Sequence, residues 1–320
     1  MTGSRSPVAP AAPGGAAGLP AVHGEAHWTR KGDVRLALWR KYVGRPDGKR
    51  PLLFVHGSSM SSRPAFDLEI EGRPASSVMN VFARLGYDTW CVDMEGYGRS
   101  DKHRPINCDV ATGADDLAAA SAYILAATGA DRLLLYGGSS GALRAALFTE
   151  RHPERVERLA LLALVWTGEG SPTLEQRRKK LPEYLANTRR PIDRAFLRTI
   201  FERDHPGTAD DRVIEAFADA VLAYDDSVPT GTYVDMCANL PLVDPARIPV
   251  PTLVLRGQWD GIASFEDVVA FFARLPNPDK HLAVVPGVAH ASLHERNGAI
   301  VRHLLHAFFD RPRPVYRGEP

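Results

Sequence analysis

Gly137-Gly138-Ser139-Ser140-Gly141 lies where an apolar strand gives way to a helix-forming segment, and its reading decides the fold. Upstream, Arg132-Leu133-Leu134-Leu135-Tyr136 is an apolar run bounded by glycine, of a length suited to a parallel strand covered on both faces. Downstream, Ala142-Leu143-Arg144-Ala145-Ala146-Leu147-Phe148 favours a helix. A serine on so sharp a turn is pushed outward at the strand end, beside the free amides of the helix N-terminus. The small residues two before and two after it let the backbone fold that tightly.

A serine hydroxyl is a weak nucleophile without a base, and the base needs a carboxylate to hold its tautomer. Both are expected further along the chain. Val250-Pro251-Thr252-Leu253-Val254-Leu255-Arg256-Gly257 reads as a buried strand, and Gln258-Trp259-Asp260-Gly261 follows it. His281-Leu282-Ala283-Val284-Val285-Pro286-Gly287 reads as another, ending in the loop Val288-Ala289-His290-Ala291-Ser292. Asp260 and His290 are therefore expected past strand C-termini, on the edge where open α/β sheets place ligands. Taken singly, Asp260 has the ordinary reading of a turn or cap residue, and His290 is one of 11 histidines. The order Ser, Asp, His with each at a strand end is what gives the set its weight.

From about Trp28 to Phe309 the sequence resembles the α/β-hydrolase superfamily. Phe54-Val55-His56-Gly57 is similar to the family's His-Gly signature after its third strand. Asp93-Met94-Glu95-Gly96-Tyr97-Gly98-Arg99-Ser100 is similar to the D-x-R-G-x-G-x-S segment after the fourth, and His152-Pro153-Glu154-Arg155-Val156 to the end of the helix behind the nucleophile. Gly138-Ser139-Ser140-Gly141-Ala142 also fits an elbow centred on Ser140; the family's spacing to His152-Pro153-Glu154-Arg155 favours Ser139. The resemblance implies Ser139 as nucleophile, His290 as general base and later acid, and Asp260 as the orienting carboxylate. It also implies the backbone N–H groups of Ser58 and Ser140 as an oxyanion hole. The absence of a His-Gly-Gly-Gly type loop disfavours the lipase branch.

Two departures stand out. Glu95 takes the place of the family's usual arginine, which is expected to remove a cation near the site entrance. The segment from Ser58 to Pro74 is longer than most connections, about 4–6 residues. Long loops beside an oxyanion hole often wall a pocket, which makes Met60 and Phe66 candidate substrate contacts. The competing reading is a surface loop packed on itself.

Composition suits a large single core carrying an insertion. Lys and Arg number 39 against 38 Asp and Glu, so no net field recruits nucleic acid or an anionic membrane. Arg177-Arg178-Lys179-Lys180 reads as a solvated helix face. Cys91, Cys108 and Cys237 form neither C-x-x-C nor a metal-ligand pattern, so no disulfide scaffold is expected.

Residues 1–24 form an Ala/Pro/Gly tract expected to be a disordered tail, and prolines break any signal-peptide core. With no run of about 20 apolar residues, a cytoplasmic location is the expectation. Residues 311–320 read as a peripheral tail. Between these ends strands and helices alternate, which predicts an α/β-hydrolase fold: a mostly parallel central sheet with helices on both faces. Core segments are expected at 25–165 and 248–310. The interval 166–247 breaks the alternation and is placed as the family's helical cap, with Trp166 at its start, and Tyr224, Tyr233 or Met236 further on, as further candidate substrate contacts whose competing reading is packing between cap and core.

The resulting expectation is a serine hydrolase acting through an acyl-enzyme on a small or medium carboxylic ester, a small-molecule substrate, with no metal and no organic cofactor. The same fold and triad serve lactonases, thioesterases, amidases and C–C hydrolases of dicarbonyl compounds. A ligand-binding protein that keeps the fold without turnover is the alternative of another class.

Overall fold

The computed structural model describes residues 18–312. Ten strands run β1 (Val22–Lys31), β2 (Val34–Val43), β3 (Pro51–Val55), β4 (Asp88–Val92), β5 (Leu133–Gly138), β6 (Val156–Leu162), β7 (Arg189–Pro191), β8 (Ser227–Pro229), β9 (Thr252–Gly257) and β10 (Lys280–Val285). Eight of them form one sheet in the order β1-β2-β4-β3-β5-β6-β9-β10. The β1–β2 hairpin joins antiparallel, β2 meets β4 antiparallel, and every later pair is parallel.

The two-residue period of the strands divides the core into two layers. Leu53 and Val55, Leu133 and Leu135, Leu159 and Leu161 face one layer. Leu52 and Phe54, Leu134 and Tyr136, Ala160 and Leu162 face the other. Helices α1 (Ser62–Phe66) and α2 (Val78–Arg84) follow β3, while α3 (Val110–Thr128) and α4 (Ser140–Arg151) flank β5. Val110, Ala114 and Leu143 join the first layer, and Met79 and Phe82 the second. Each fully buried Leu or Phe contributes about 1.5–3 kcal/mol, which outweighs any single residue's strand or helix propensity.

Between β6 and β9 lie α5 (Pro172–Arg178), α6 (Leu181–Ala186), α7 (Arg194–Glu202), α8 (Asp211–Leu222) and α9 (Gly231–Val234), with β7 and β8 paired antiparallel as a separate ribbon. Leu174, Leu197, Phe201 and Phe217 make this insertion continuous with the first core layer. Polar latches tie it to the sheet domain. Asp225 accepts from Gly98 N–H (2.9 Å) and Lys102 Nζ (2.6 Å), and Asp235 accepts from Val110 N–H (2.8 Å). The chain ends with α10 (Phe265–Arg274) and α11 (Gly298–Phe309), one on each face.

The expected tail boundary at residue 24 needs correction: Val22, His23 and Gly24 belong to β1, opposite Val43, Tyr42 and Lys41. Gly24 looks like part of the Gly-rich tract, yet it lies against the Trp39 indole, where a Cβ would come within 2.7 Å of the ring. His23 stacks on Tyr42. Residues 1–17 and 313–320, the remainder of the two expected tails, lie outside the described residues. Among the described residues no helix is long and apolar enough to cross a membrane.

Candidate active site

The elbow between β5 and α4 places Ser139 at φ 57° and ψ −129°, a region L-residues rarely occupy and that costs about 1–3 kcal/mol. Two glycines make the turn possible. A Cβ on Gly137 would lie 2.4 Å from Gly141 O, and one on Gly141 would lie 2.4 Å from Val55 O. Either clash involves backbone, which cannot swing aside. The elbow is further fixed by Ser139 N–H donating to Leu162 O (2.9 Å).

Ser139 Oγ lies 3.1 Å from His290 Nε2, and His290 Nδ1 lies 3.3 and 3.4 Å from the two oxygens of Asp260. Asp260 Oδ1 also accepts from the N–H groups of Ile262 (2.9 Å) and Ala263 (3.3 Å). Burial pushes the Asp260 carboxyl up, but His290 and these two amides prevail and hold it below its ordinary value. The three residues chosen from sequence are thus brought together. The register question also resolves: Ser139 faces His290, while the Ser140 hydroxyl is buried without a hydrogen-bond partner.

Two supports of this set had no sequence signal. Glu295 accepts from Ala289 N–H (2.6 Å) and Ser292 N–H (3.1 Å), which clamps the loop carrying His290. Asp204, after α7, brings a second carboxylate near the imidazole: single ligand atoms of Asp204, Asp260 and His290 lie within 4.8 Å of one another. Arg203 pairs with Asp204 at 2.9 Å.

The expected oxyanion loop sits beside the elbow, since a Cβ on Gly57 would be only 3.5 Å from Ser139 Cβ. His56 sets the Gly57–Ser58 peptide. Its Nε2 accepts from Met94 N–H (3.1 Å), so Nδ1 carries the proton and donates to Gly57 O (2.7 Å). Burial and the Arg144 charge bring His56 down to about 3, which keeps the imidazole neutral. From the insertion, Arg190 Nη2 donates to Ser58 O (3.1 Å) and Ser59 Oγ (2.8 Å). Ser140 opens α4, where the first-turn amides lack intrahelical acceptors.

Ser139, His290, Gly57, Ser58 and Ser59 line a cavity of about 100 Å³. Met60 and Phe66 line it too, so the loop after His56-Gly57 does wall the pocket. Its opposite wall comes from the insertion: Arg177, Ile200, Phe201, Arg203, Phe217 and Tyr233. Trp166 does not reach the cavity, which corrects its expected role. Its backbone N–H donates to Asp267 (2.8 Å), its Nε1 donates to Val243 O (2.9 Å), and its ring packs edge-on against Phe271. It anchors the start of the insertion.

Two further expectations change. Glu95 is buried and held by Lys31 (2.9 Å) and Arg104 (2.6 Å), away from the cavity lining; it satisfies those cations instead of altering a pocket entrance. The basic run is not uniformly solvated either. Arg177 Nη1 is shielded from solvent without a hydrogen-bond partner, and Arg178 Nε donates to Cys237 O (3.3 Å).

A protein-family model described as serine aminopeptidase, S33, matches residues 71–297, a span that holds Ser139, Asp260 and His290. Among solved structures, the chain is similar to a membrane phospholipase A described as a bacterial virulence factor. The TM-score is 0.64 at 21% identity, over 90% of this chain and 86% of that one. A serine hydrolase from Cycloclasticus zankles gives a TM-score of 0.64 at 20% identity, over 90% and 98% of the two chains. A bromoperoxidase from Bacillus anthracis gives 0.65 at 16%, over 89% and 99%. At these identities the likeness is one of fold.

Proposed function

We propose that this chain, which belongs to the serine aminopeptidase S33 family and is an enzyme of the α/β-hydrolase type, hydrolyses a small or medium carboxylic ester through an acyl-enzyme. The observation that carries the reading is the 3.1 Å approach of His290 Nε2 to Ser139 Oγ at a strained elbow opening into a cavity. Strain persists at a functional position only where the surroundings over-determine it, as Gly137 and Gly141 do here.

In this reading Ser139 Oγ attacks the ester carbonyl carbon while His290 Nε2 takes its proton. Asp260 holds Nδ1–H and stabilises the imidazolium. The oxyanion is received by the N–H groups of Ser58 and Ser140, a term worth about 3–4 kcal/mol per donor. The carbon–oxygen bond to the alcohol then breaks, and His290 returns the proton to the leaving oxygen. Water, deprotonated by His290, attacks the acyl-Ser139 carbonyl; the bond to Ser139 Oγ breaks, His290 returns the proton to Oγ, and the acid leaves. The insertion acts as a cap that excludes water and selects the acyl group.

The family's description names an aminopeptidase, whose substrate carries a protonated amine. A pocket wall with Arg177 and Arg203, where Asp204 is already paired with Arg203 and Asp260 with His290, disfavours that cation. An ester without a cationic amine is the better match. A fluorophosphonate probe tests the reading: stoichiometric label on Ser139, mapped by mass spectrometry, is expected. Ester turnover that survives in a folded Ser139→Ala variant would overturn it.

A further inference from the structure

Arg177 presents an unanswered question in an otherwise well-satisfied wall. Among the described residues its buried Nη1 has no hydrogen-bond partner, and neither has Nε of Arg190. A buried guanidinium N–H left unpaired is costly, because it has lost water and gained nothing. Around Arg177 the strongest influences are burial, then Tyr233, the guanidinium groups of Arg203 and Arg190, and Tyr184. No carboxylate stands among these. Arg203 is neutralised by Asp204, while Arg190 bonds only neutral oxygens of Ser58 and Ser59.

The two cations meet on one ring. Arg177 lies 4.2 Å and Arg190 4.0 Å from the centroid of Tyr233, and Arg177 and Tyr233 both line the cavity that holds Ser139. Burial alone would raise the Tyr233 phenol; Arg177, Arg190 and the contact with Ser59 override it and bring the group down to about 7. While Tyr233 stays protonated, Arg177 and Arg190 leave the site with positive charge in excess, in a mostly apolar cavity of about 100 Å³. One free guanidinium and so little room suit a carboxylate better than a phosphate, which asks for more donors and more charge.

We propose that Arg177, backed by Arg190 and Tyr233, forms an anion subsite, so that the substrate carries a carboxylate in addition to the carbonyl presented to Ser139. This rests on the Ser139 reading and narrows its substrate to acidic esters. The guanidinium N–H that now lacks a partner donates to the carboxylate, and substrates without one leave it unpaired.

The test compares pentanoate with pentanamide as inhibitors of neutral p-nitrophenyl butyrate hydrolysis by the full chain. Charge-assisted bonding predicts that pentanoate inhibits at about tenfold to a hundredfold lower concentration. Arg177→Met should bring the two inhibition constants together, and Arg177→Lys should restore part of the difference. Equal constants in the unaltered protein overturn the proposal. So does a preference that persists in Arg177→Met, since the carboxylate would then be sitting in the oxyanion hole. If Arg177→Met does not fold by circular dichroism, the unaltered protein and Arg177→Lys still decide. Fluorophosphonate labelling of Ser139 and the neutral ester rate report the catalytic reading separately, so the two can fail independently.

Discussion

The cavity has two walls of different origin. One is made of strand ends: Ser139 after β5, Gly57 and Ser58 after β3, and His290 after β10, with Asp260 after β9 behind it. The other is made of short helices and their ends: Arg177 on α5, Phe201 on α7, Phe217 on α8 and Tyr233 on α9. A strand end has its position set by hydrogen-bonded neighbours, two for β3, β5 and β9 and one for the edge strand β10, so small groups there can be held to fractions of an ångström. A helix of four to twelve residues is positioned by side-chain packing, which suits shape and charge more than reaction geometry. On the proposed reading, the first wall carries the chemistry and the second the choice of substrate.

The sharpest check is Ser139→Ala. It should lower kcat on the order of 10⁴-fold or more for every ester tried, with KM little changed, as measured by steady-state kinetics on a series of acyl lengths. A loss confined to some acyl lengths would place the strand-end wall in selection as well. Arg190→Met is the change best able to break the comparison, because Arg190 belongs to the insertion yet bonds Ser58 O and Ser59 Oγ. Loosening that loop misplaces one oxyanion donor, and a uniform fall in kcat of about 10–100-fold is expected across substrates. A change in acyl preference without a fall in kcat would show that Arg190 serves only the second wall.

The same division governs what was legible in the sequence. Ser139, Asp260 and His290 are legible as candidates because a strand end leaves a local signature: an apolar run, a turn, then the candidate residue. Gly137 and Gly141 were legible for the same reason, since a backbone clash at 2.4 Å allows no other side chain. The second wall leaves no such trace. Arg177 belongs to a run of four basic residues that reads as a solvated face, whereas its head group turns inward over the ring of Tyr233 on α9. Trp166 erred the other way. An aromatic at the start of the insertion fits a substrate contact as well as an anchor, and the choice depends on Asp267 and Val243, 101 and 77 residues away. Glu295 and Asp204 lie close in sequence to the groups they bond, Ala289 and Ser292 for the first and Arg203 for the second, but neither follows an apolar strand run that would mark it.

Phe201→Leu gives a smaller effect. Phe201 meets Phe217 edge-to-face at 5.2 Å on the insertion wall, and trimming one ring enlarges the cavity without opening the fold. The optimum acyl length should lengthen, with kcat/KM for the longer esters rising about tenfold relative to the shorter ones. Hydrolysis rates over a series from acetate to octanoate measure this. An unchanged profile would remove Phe201 from selection.

The smallest effect lies beneath the first wall, at His56. Its Nε2 must accept, because Met94 N–H can only donate, so a second proton on the ring would break that bond and place a charge beside Arg144. Burial first, and the Arg144 charge second, lower its affinity for protons to about 3, against about 6.5 for a solvated imidazole. Unfolded chains therefore bind a proton below about pH 6.5 that the folded chain refuses until about pH 3. The His56 contribution to stability is complete above the upper value and is lost as the pH falls toward the lower one. Asp93 and Asp116, whose carboxyls burial raises, act in the opposite sense over overlapping pH, and His294, lowered to about 4 by burial, in the same sense, so an unfolding profile alone would mix such groups. Imidazole ¹⁵N shifts separate them. His56 should keep a constant neutral signature, with the proton on Nδ1, from pH 8 to pH 5. A midpoint near 6.5 would mean that the Gly57–Ser58 peptide is not held by a neutral imidazole, and the strand-end wall would lose the rigidity that distinguishes it from the insertion.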